Sequence, residues 1–375
     1  MTLFSFLACL DCFETDMGKL EQKLSECLLS VKKEMAFTDI AWGPVAFKKG
    51  LETQSESLVY AVKNTVSRTL PGSHVPVGSA PADPVPEYTI AIRGTNPCSI
   101  FSWIFQDLNV GRLVPWSRQS PSTKGRKARI SKATDTSLAI HKKLESGGKT
   151  VLSWLLEIAD AAPGHKITVN VTGHSLGGCM CTAFATYLHD EISALKPEYT
   201  VDIRVYALAG PTAGDEVFAQ YAESIFGESL NRYTNRYDIA THVWSEADMN
   251  NFLPAIYSPR IELKALEKDA LNYFCKKVKN LGYTQPGAHI DIPSIVFDVI
   301  PFRDYLMQAV YQHVIPYFES ALKDSPRKVI DIIFEILKNL FSSGLMYDSK
   351  GNAMTAKDED RRLMVEAIET LAERN

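Results

Sequence analysis

The chain has 375 residues, of which 45% are hydrophobic and 22% charged, and a formal net charge of −4. That apolar fraction supports a substantial core, and the length fits one large decorated domain. The slightly acidic balance argues against nucleic-acid binding, which leaves a basic footprint. No stretch reaches the roughly 18 continuous apolar residues of a membrane span.

The opening MTLFSFLACLDCF is apolar, but it has no Lys or Arg in its first 18 residues and is too short for a signal peptide. The expectation is a cytoplasmic protein, or one secreted by a non-classical route. Seven cysteines, an odd number at scattered positions, do not make a disulfide framework and point to a reducing compartment. Cys9-x-x-Cys12 has no second CxxC beside it and reads as two small residues on a helix face. From Glu14 to Met35, Leu20, Leu24, Leu28 and Val31 recur at helical spacing.

Pro44 to Phe47 and Leu58 to Thr65 read as strands, and the five prolines between Pro71 and Pro86 dictate a loop. Tyr88 to Ile92 is a further strand that runs into Arg93-Gly94-Thr95. Ser99 to Leu108 then forms a short helical segment in which Ile100, Phe101, Trp103, Ile104 and Phe105 crowd five large apolar side chains into six positions. Composition alone allows a core helix there. Arg118, Lys124, Arg126, Lys127, Arg129 and Lys132 follow with no acid among them, a pattern shared by solvated loops and by patches that meet anionic lipid. Helices predicted over Asp135 to Leu144 and Lys149 to Ala161 lead to the most informative stretch of the chain.

That stretch is Lys166 to Gly178, KITVNVTGHSLGG. Ile167, Val169 and Val171 alternate with polar residues as in a strand. Gly173-His174-Ser175-Leu176-Gly177 then supplies G-x-S-x-G before a helical pattern containing Met180, Phe184, Tyr187 and Leu188. In such a strand-turn-helix the serine sits on a sharp turn with its hydroxyl presented, and glycines are needed where strand and helix approach. The N–H of Leu176, in the first helical turn, would face an oxyanion.

VTGHSLGG resembles the elbow of the class 3 lipases, a branch of the α/β-hydrolases. Arg93-Gly94-Thr95 is similar to that family's RGT or RGS, which implies that Thr95 supplies the second oxyanion donor. Ser99 to Leu108 stands where the family has its lid, with the tryptophan and the Asp-Leu ending present and two additional residues, Pro97 and Cys98, ahead of it. Ala209 to Asp215, after a strand at Val201 to Ala209, resembles the family's loop at the same place.

A strand from Leu230 to Tyr237 delivers Asp238, and in this fold the acid follows the nucleophile in the order Ser, Asp, His. The chain departs from the family just after it, where Ile239-Ala240-Thr241-His242 replaces a proline-containing continuation; Asp248 is the alternative acid. Of the later histidines, His242 lies too near Asp238 in sequence to serve as base. His289 falls in the stretch Tyr283 to Pro293, which resembles the family's last strand. His313, with Tyr317 four residues on, resembles the family's base and is preferred to His289.

The fold class expected is therefore α/β: an α/β-hydrolase fold whose mostly parallel sheet is flanked by helices, with helical additions at both ends. Residues 1–35 would be an N-terminal helical extension, 36–320 the catalytic domain, and 321–375 a C-terminal helical extension packing on it through Val329, Ile330, Ile332, Ile333, Ile336, Leu337 and Leu340. A charged helix is expected over Ile261 to Asn280 and a last one over Thr355 to Ala372. The resemblance implies hydrolysis of lipid esters, triacylglycerol or phospholipid, through an acyl-enzyme on Ser175 with no cofactor and no metal. The partners implied are a lipid-water interface and peripheral membrane contact through the lid and Arg118 to Lys132. An acyltransferase using the same acyl-enzyme and a non-catalytic lipid-binding module are the other readings.

Overall fold

The computed structural model describes residues 1–11, 14–48, 57–65, 85–93, 109–116, 127–297, 305–322, 325–342, 345–347 and 353–355. Seven strands form one sheet whose spatial order follows the chain: β1 (Phe37–Phe47), β2 (Ser57–Asn64), β3 (Glu87–Ile92), β4 (Lys166–His174), β5 (Thr200–Leu208), β6 (Leu230–Thr234) and β7 (His289–Asp291). The first two pairings are antiparallel. All later ones are parallel, as they must be when a helical crossover separates each strand from the next.

Those crossovers contain α3 (Lys132–His141) and α4 (Val151–Asp160) before β4, α5 (Leu176–Leu195) before β5, and α6 (Glu216–Phe226) before β6. Their apolar sides bury one sheet face, with Leu155, Met180, Phe184, Leu188 and Phe218 packed on Ile167, Val169, Val171 and Val205. Ser131, Thr150 and Asp215 cap α3, α4 and α6, each accepting the N–H of the residue three positions on.

The opposite face is covered by the two ends of the chain. Helices α1 (Thr2–Leu7) and α2 (Met17–Val31) join α9 (Tyr305–Leu322) and α10 (Arg327–Ser342) there in a second apolar cluster. Leu20, Leu24, Leu28 and Val31 are fully buried, as are Val329 and Ile333. The polar residues that alternate along β4 are consequently buried too: Thr168, Asn170 and Thr172 face this second layer and not solvent. Asn170 donates to Glu87, and the Thr172 hydroxyl lies against the Tyr206 and Met1 carbonyls. A third cluster gathers Val243, Trp244, Met249, Leu253, Tyr257 and Ile261 with Phe274 of α8 (Ala265–Val278), beyond the short α7 (Glu246–Asn251).

Several boundaries differ from those read in the sequence. The strand drawn to Tyr237 ends at Thr234, and the last strand shrinks to His289–Asp291. Thr355 ends a short strand paired with Leu345–Tyr347 where a helix start was expected, and the rest of that helix lies outside the described residues. Cys9 is buried just past α1, and Cys12 is outside the described residues.

Candidate active site

β4 passes into α5 through one residue, Ser175, which has φ 61° and ψ −127°. A non-glycine residue held in such a region costs about 1–3 kcal/mol and persists only when its surroundings fix it. Here the Ser175 N–H donates to the Leu208 carbonyl at 2.9 Å, and its own carbonyl accepts the Cys179 N–H at 3.1 Å. The glycines permit the approach. A Cβ on Gly173 would stand 2.6 Å from the Gly177 carbonyl carbon and 2.7 Å from the Ile92 oxygen, and one on Gly178 would stand 2.4 Å from the Leu208 oxygen. Leu176 opens the helix, where an N–H has no intrahelical acceptor.

Asp238 follows β6 and caps a single 3₁₀ turn, Ile239–Thr241. His313 comes from the middle of α9. The two meet in the interior, 1% and 2% exposed, with His313 Nδ1 at 2.9 Å and 3.0 Å from the two carboxylate oxygens of Asp238. Nδ1 must carry the proton to bond a carboxylate, which leaves Nε2 as the basic nitrogen. His313 Nε2 is buried and makes no hydrogen bond, so a bond to the Ser175 hydroxyl is not formed in this structure. Catalytic bonds are often long in unliganded proteins. The elbow and His313 are nevertheless in direct contact. His174, adjacent to Ser175, donates from Nε2 to the His313 carbonyl at 2.7 Å, and the two imidazole centroids are 4.7 Å apart.

The carboxylate of Asp238 is further held by the Ala240 N–H at 2.9 Å and the Tyr317 hydroxyl at 2.8 Å. Tyr317 lies one helical turn after His313, and its oxygen also accepts the Asn235 N–H at 2.8 Å. Burial, and the Asp238 carboxylate beside it, push the Tyr317 phenol well above its ordinary pKa, so it remains a donor. Asn235 in turn bonds the Gln312 carbonyl and side chain through Nδ2. Sequence reading noted Tyr317 four residues after His313 but gave it no partner, and it missed the contacts of Asn235, Gln312 and His174. The i, i+4 spacing of His313 and Tyr317 was the available signal.

Other candidates lie elsewhere. His289 is exposed on the edge strand β7. Asp248 faces His242 at 3.3 Å, while His242 Nε2 donates to the Arg236 carbonyl, a pair separate from the buried one. Thr95 and the segment Ile100, Phe101, Trp103, Ile104, Phe105 to Leu108 lie outside the described residues, as do Arg118, Lys124 and Arg126. Of the remaining cations in that run, Arg129 is paired with Asp215 at 2.8 Å and Lys132 with Asp135 at 2.6 Å. Among the described residues no cluster of three or more His, Cys, Asp or Glu could hold a metal ion.

Residues 89–247, which include the elbow and Asp238, match the family model of the class 3 lipases. That span, a little under half of the chain, is similar to the class 3 lipases. Among solved structures, that of M37 lipase is similar over 89% of this chain and 95% of its own, with a TM-score of 0.71 and 25% identity. The lipase of Rhizopus niveus is 34% identical over 83 residues, 22% of this chain and 20% of the relative. Phospholipase A1-IIbeta of Arabidopsis thaliana is 29% identical over 97 residues, 25% of this chain and 23% of the relative. The matches thus span about a fifth of the length of these curated relatives. His313 lies beyond the matched family span, and the structure places it beside Asp238. Among the described residues, no helix is long and apolar enough to cross a membrane.

Proposed function

We propose that the chain is a carboxylic ester hydrolase acting on lipid esters through an acyl-enzyme on Ser175. The observation that carries this reading is the buried His313, bound to Asp238 through Nδ1, with Nε2 unpartnered and its helix fastened to the residue beside Ser175. In this mechanism His313 Nε2 takes the Ser175 proton as Oγ attacks the ester carbonyl. The resulting imidazolium is stabilised by Asp238, and the proton passes to the leaving alcohol. Water then attacks the acyl-enzyme with His313 again as base. The Leu176 N–H supports the oxyanion, with Thr95 as its second donor by resemblance.

Residues 36–320 are taken as the catalytic unit. Relatives named lipase and phospholipase A1 support lipid esters as the substrate class, and triacylglycerols and phospholipids are the two candidates. Contact with a lipid surface through the segment at Ile100 to Phe105 and the cations from Arg118 to Lys132 rests on sequence. With Arg129 and Lys132 already paired, replacing Arg118, Lys124, Arg126 and Lys127 by Gln should account for any salt-sensitive binding to anionic vesicles. Unchanged binding of that variant would remove the patch from the reading.

Ser175→Ala should lose several orders of magnitude of ester hydrolysis, and labelling by a fluorophosphonate, while unfolding at the same temperature as the parent. Adding His313→Ala to it should cost little more, because the groups act as one unit. Near-normal turnover by Ser175→Ala on triacylglycerol and phospholipid would overturn the proposal.

A further inference from the structure

We infer that His174, the residue immediately before the nucleophile, is a positioning residue for His313, acting through the hydrogen bond from its Nε2 to the His313 carbonyl. The inference rests on His313 being the base. An interior helical carbonyl normally accepts from the N–H four residues on, and Pro316 removes one such donor from the turn that carries His313. The carbonyl it deprives, that of Gln312, is taken by Asn235 Nδ2 at 2.8 Å. The next carbonyl, that of His313 itself, is taken by His174 at 2.7 Å. The turn bearing the base is therefore tied by two consecutive carbonyls, one to the loop that delivers Asp238 and the other to the end of β4 that delivers Ser175.

His174 suits this task. It is 2% exposed, and its ring is held between Phe6 at 5.1 Å and Tyr317 at 5.5 Å. Burial, and secondarily the neighbouring His313, hold its pKa well below the ordinary value, so the ring stays neutral. A carbonyl can only accept, so the tautomer is fixed with the proton on Nε2. A neutral donor fastens the helix without placing a second positive charge 4.7 Å from the imidazolium that forms in turnover.

The test compares His174→Leu, which removes the donor, with His174→Gln, whose amide nitrogen stands about where Nε2 does. His174→Leu should lower kcat on a soluble ester about 10- to 100-fold, the usual scale of a misplaced catalytic group, with KM changed less than about twofold. His174→Gln should recover most of that loss. If His174→Leu does not fold, His174→Asn, whose amide is too short to reach, takes its place with the same expectation. Parental kcat in the donor-less variant, or no recovery in His174→Gln, overturns the inference. His313→Ala is run alongside: if it retains activity the base assignment has failed, whereas an inactive His313→Ala with a fully active donor-less variant rejects the positioning role alone.

Discussion

The Tyr317 hydroxyl stands between two groups that have few other options. It donates to Asp238 Oδ2 and accepts the buried Asn235 N–H, so Tyr317→Phe strips a donor from the carboxylate and orphans a backbone donor. Loss of about 1–3 kcal/mol of stability follows from the unsatisfied groups, measurable as a lower urea midpoint. The freer carboxylate should also lower kcat by about tenfold, an intermediate effect expected of a group that orients another. A variant with parental stability and kcat would mean that Asp238 is held adequately by Ala240 and His313. At this scale the sequence was readable where a residue carries its own local context: Ser175 between a strand and a helix, Asp238 after a strand in the order the fold requires. It was not readable for Asn235, Gln312 and His174, whose partners lie far away in sequence and meet only through the packing of α9 on the sheet.

Helix α5 approaches the sheet most closely at its first turn, and its glycines set that distance. Gly178 lies over the end of β5 and against Gly210, where a Cβ would fall 2.4 Å from the Leu208 oxygen; on Gly210 it would fall 2.8 Å from the Cys179 nitrogen. Both contacts are to backbone, which cannot swing aside. Gly178→Ala should therefore displace the start of the helix, cost on the order of 1–3 kcal/mol as an overpacked contact, and lose activity beyond that because Ser175 moves with it. Parental thermal stability and labelling rate would contradict the close approach. The resemblance of Ala209-Gly210-Pro211 to the family's loop acquires a physical reason here, since Gly210 is the other side of that contact. Helix α9 was the element least visible in the sequence. Pro316 interrupts its pattern, although the helix runs through it with the freed carbonyl satisfied by a side chain. The edge strand β7 was overdrawn because only three residues find a partner on β6.

Across the whole molecule, the sheet is buried on both faces, and this determines how it responds to acid. His141 at the end of α3 is fully enclosed between Ser57 and the Ser137 carbonyl, and burial pushes its pKa from 6.5 down to about 4. Between those values the unfolded chain binds a proton that the folded one excludes, so stability is complete above about pH 6.5 and is lost as pH falls towards 4. The loss from His141 is ~3 kcal/mol, and His174 adds to it with the same sign. Urea midpoints should fall steeply from pH 7 to 4.5, and less steeply in His141→Gln; parallel slopes would exclude this histidine as the source. The alternation of β4 identifies a strand but not which layer its polar side meets, and the terminal helices that cover Thr168, Asn170 and Thr172 come from the far ends of the chain. Helix α1 lies within that cover, with its Phe4 carbonyl accepting the Tyr60 hydroxyl and its Phe6 ring against Phe318. At a synthesis rate of roughly 5–20 residues per second, Phe4, Phe6 and Leu7 emerge about 15 to 60 s before Phe318 does. During that interval the nascent chain displays an apolar segment whose resting place is only partly made, since Tyr60 and His174 are in hand but Phe318 is not. Ribosome-bound chains halted before residue 305 should accordingly leave Phe4 to Leu7 open to chymotrypsin and to chaperone crosslinking, and chains released after residue 342 should lose both within the time of folding.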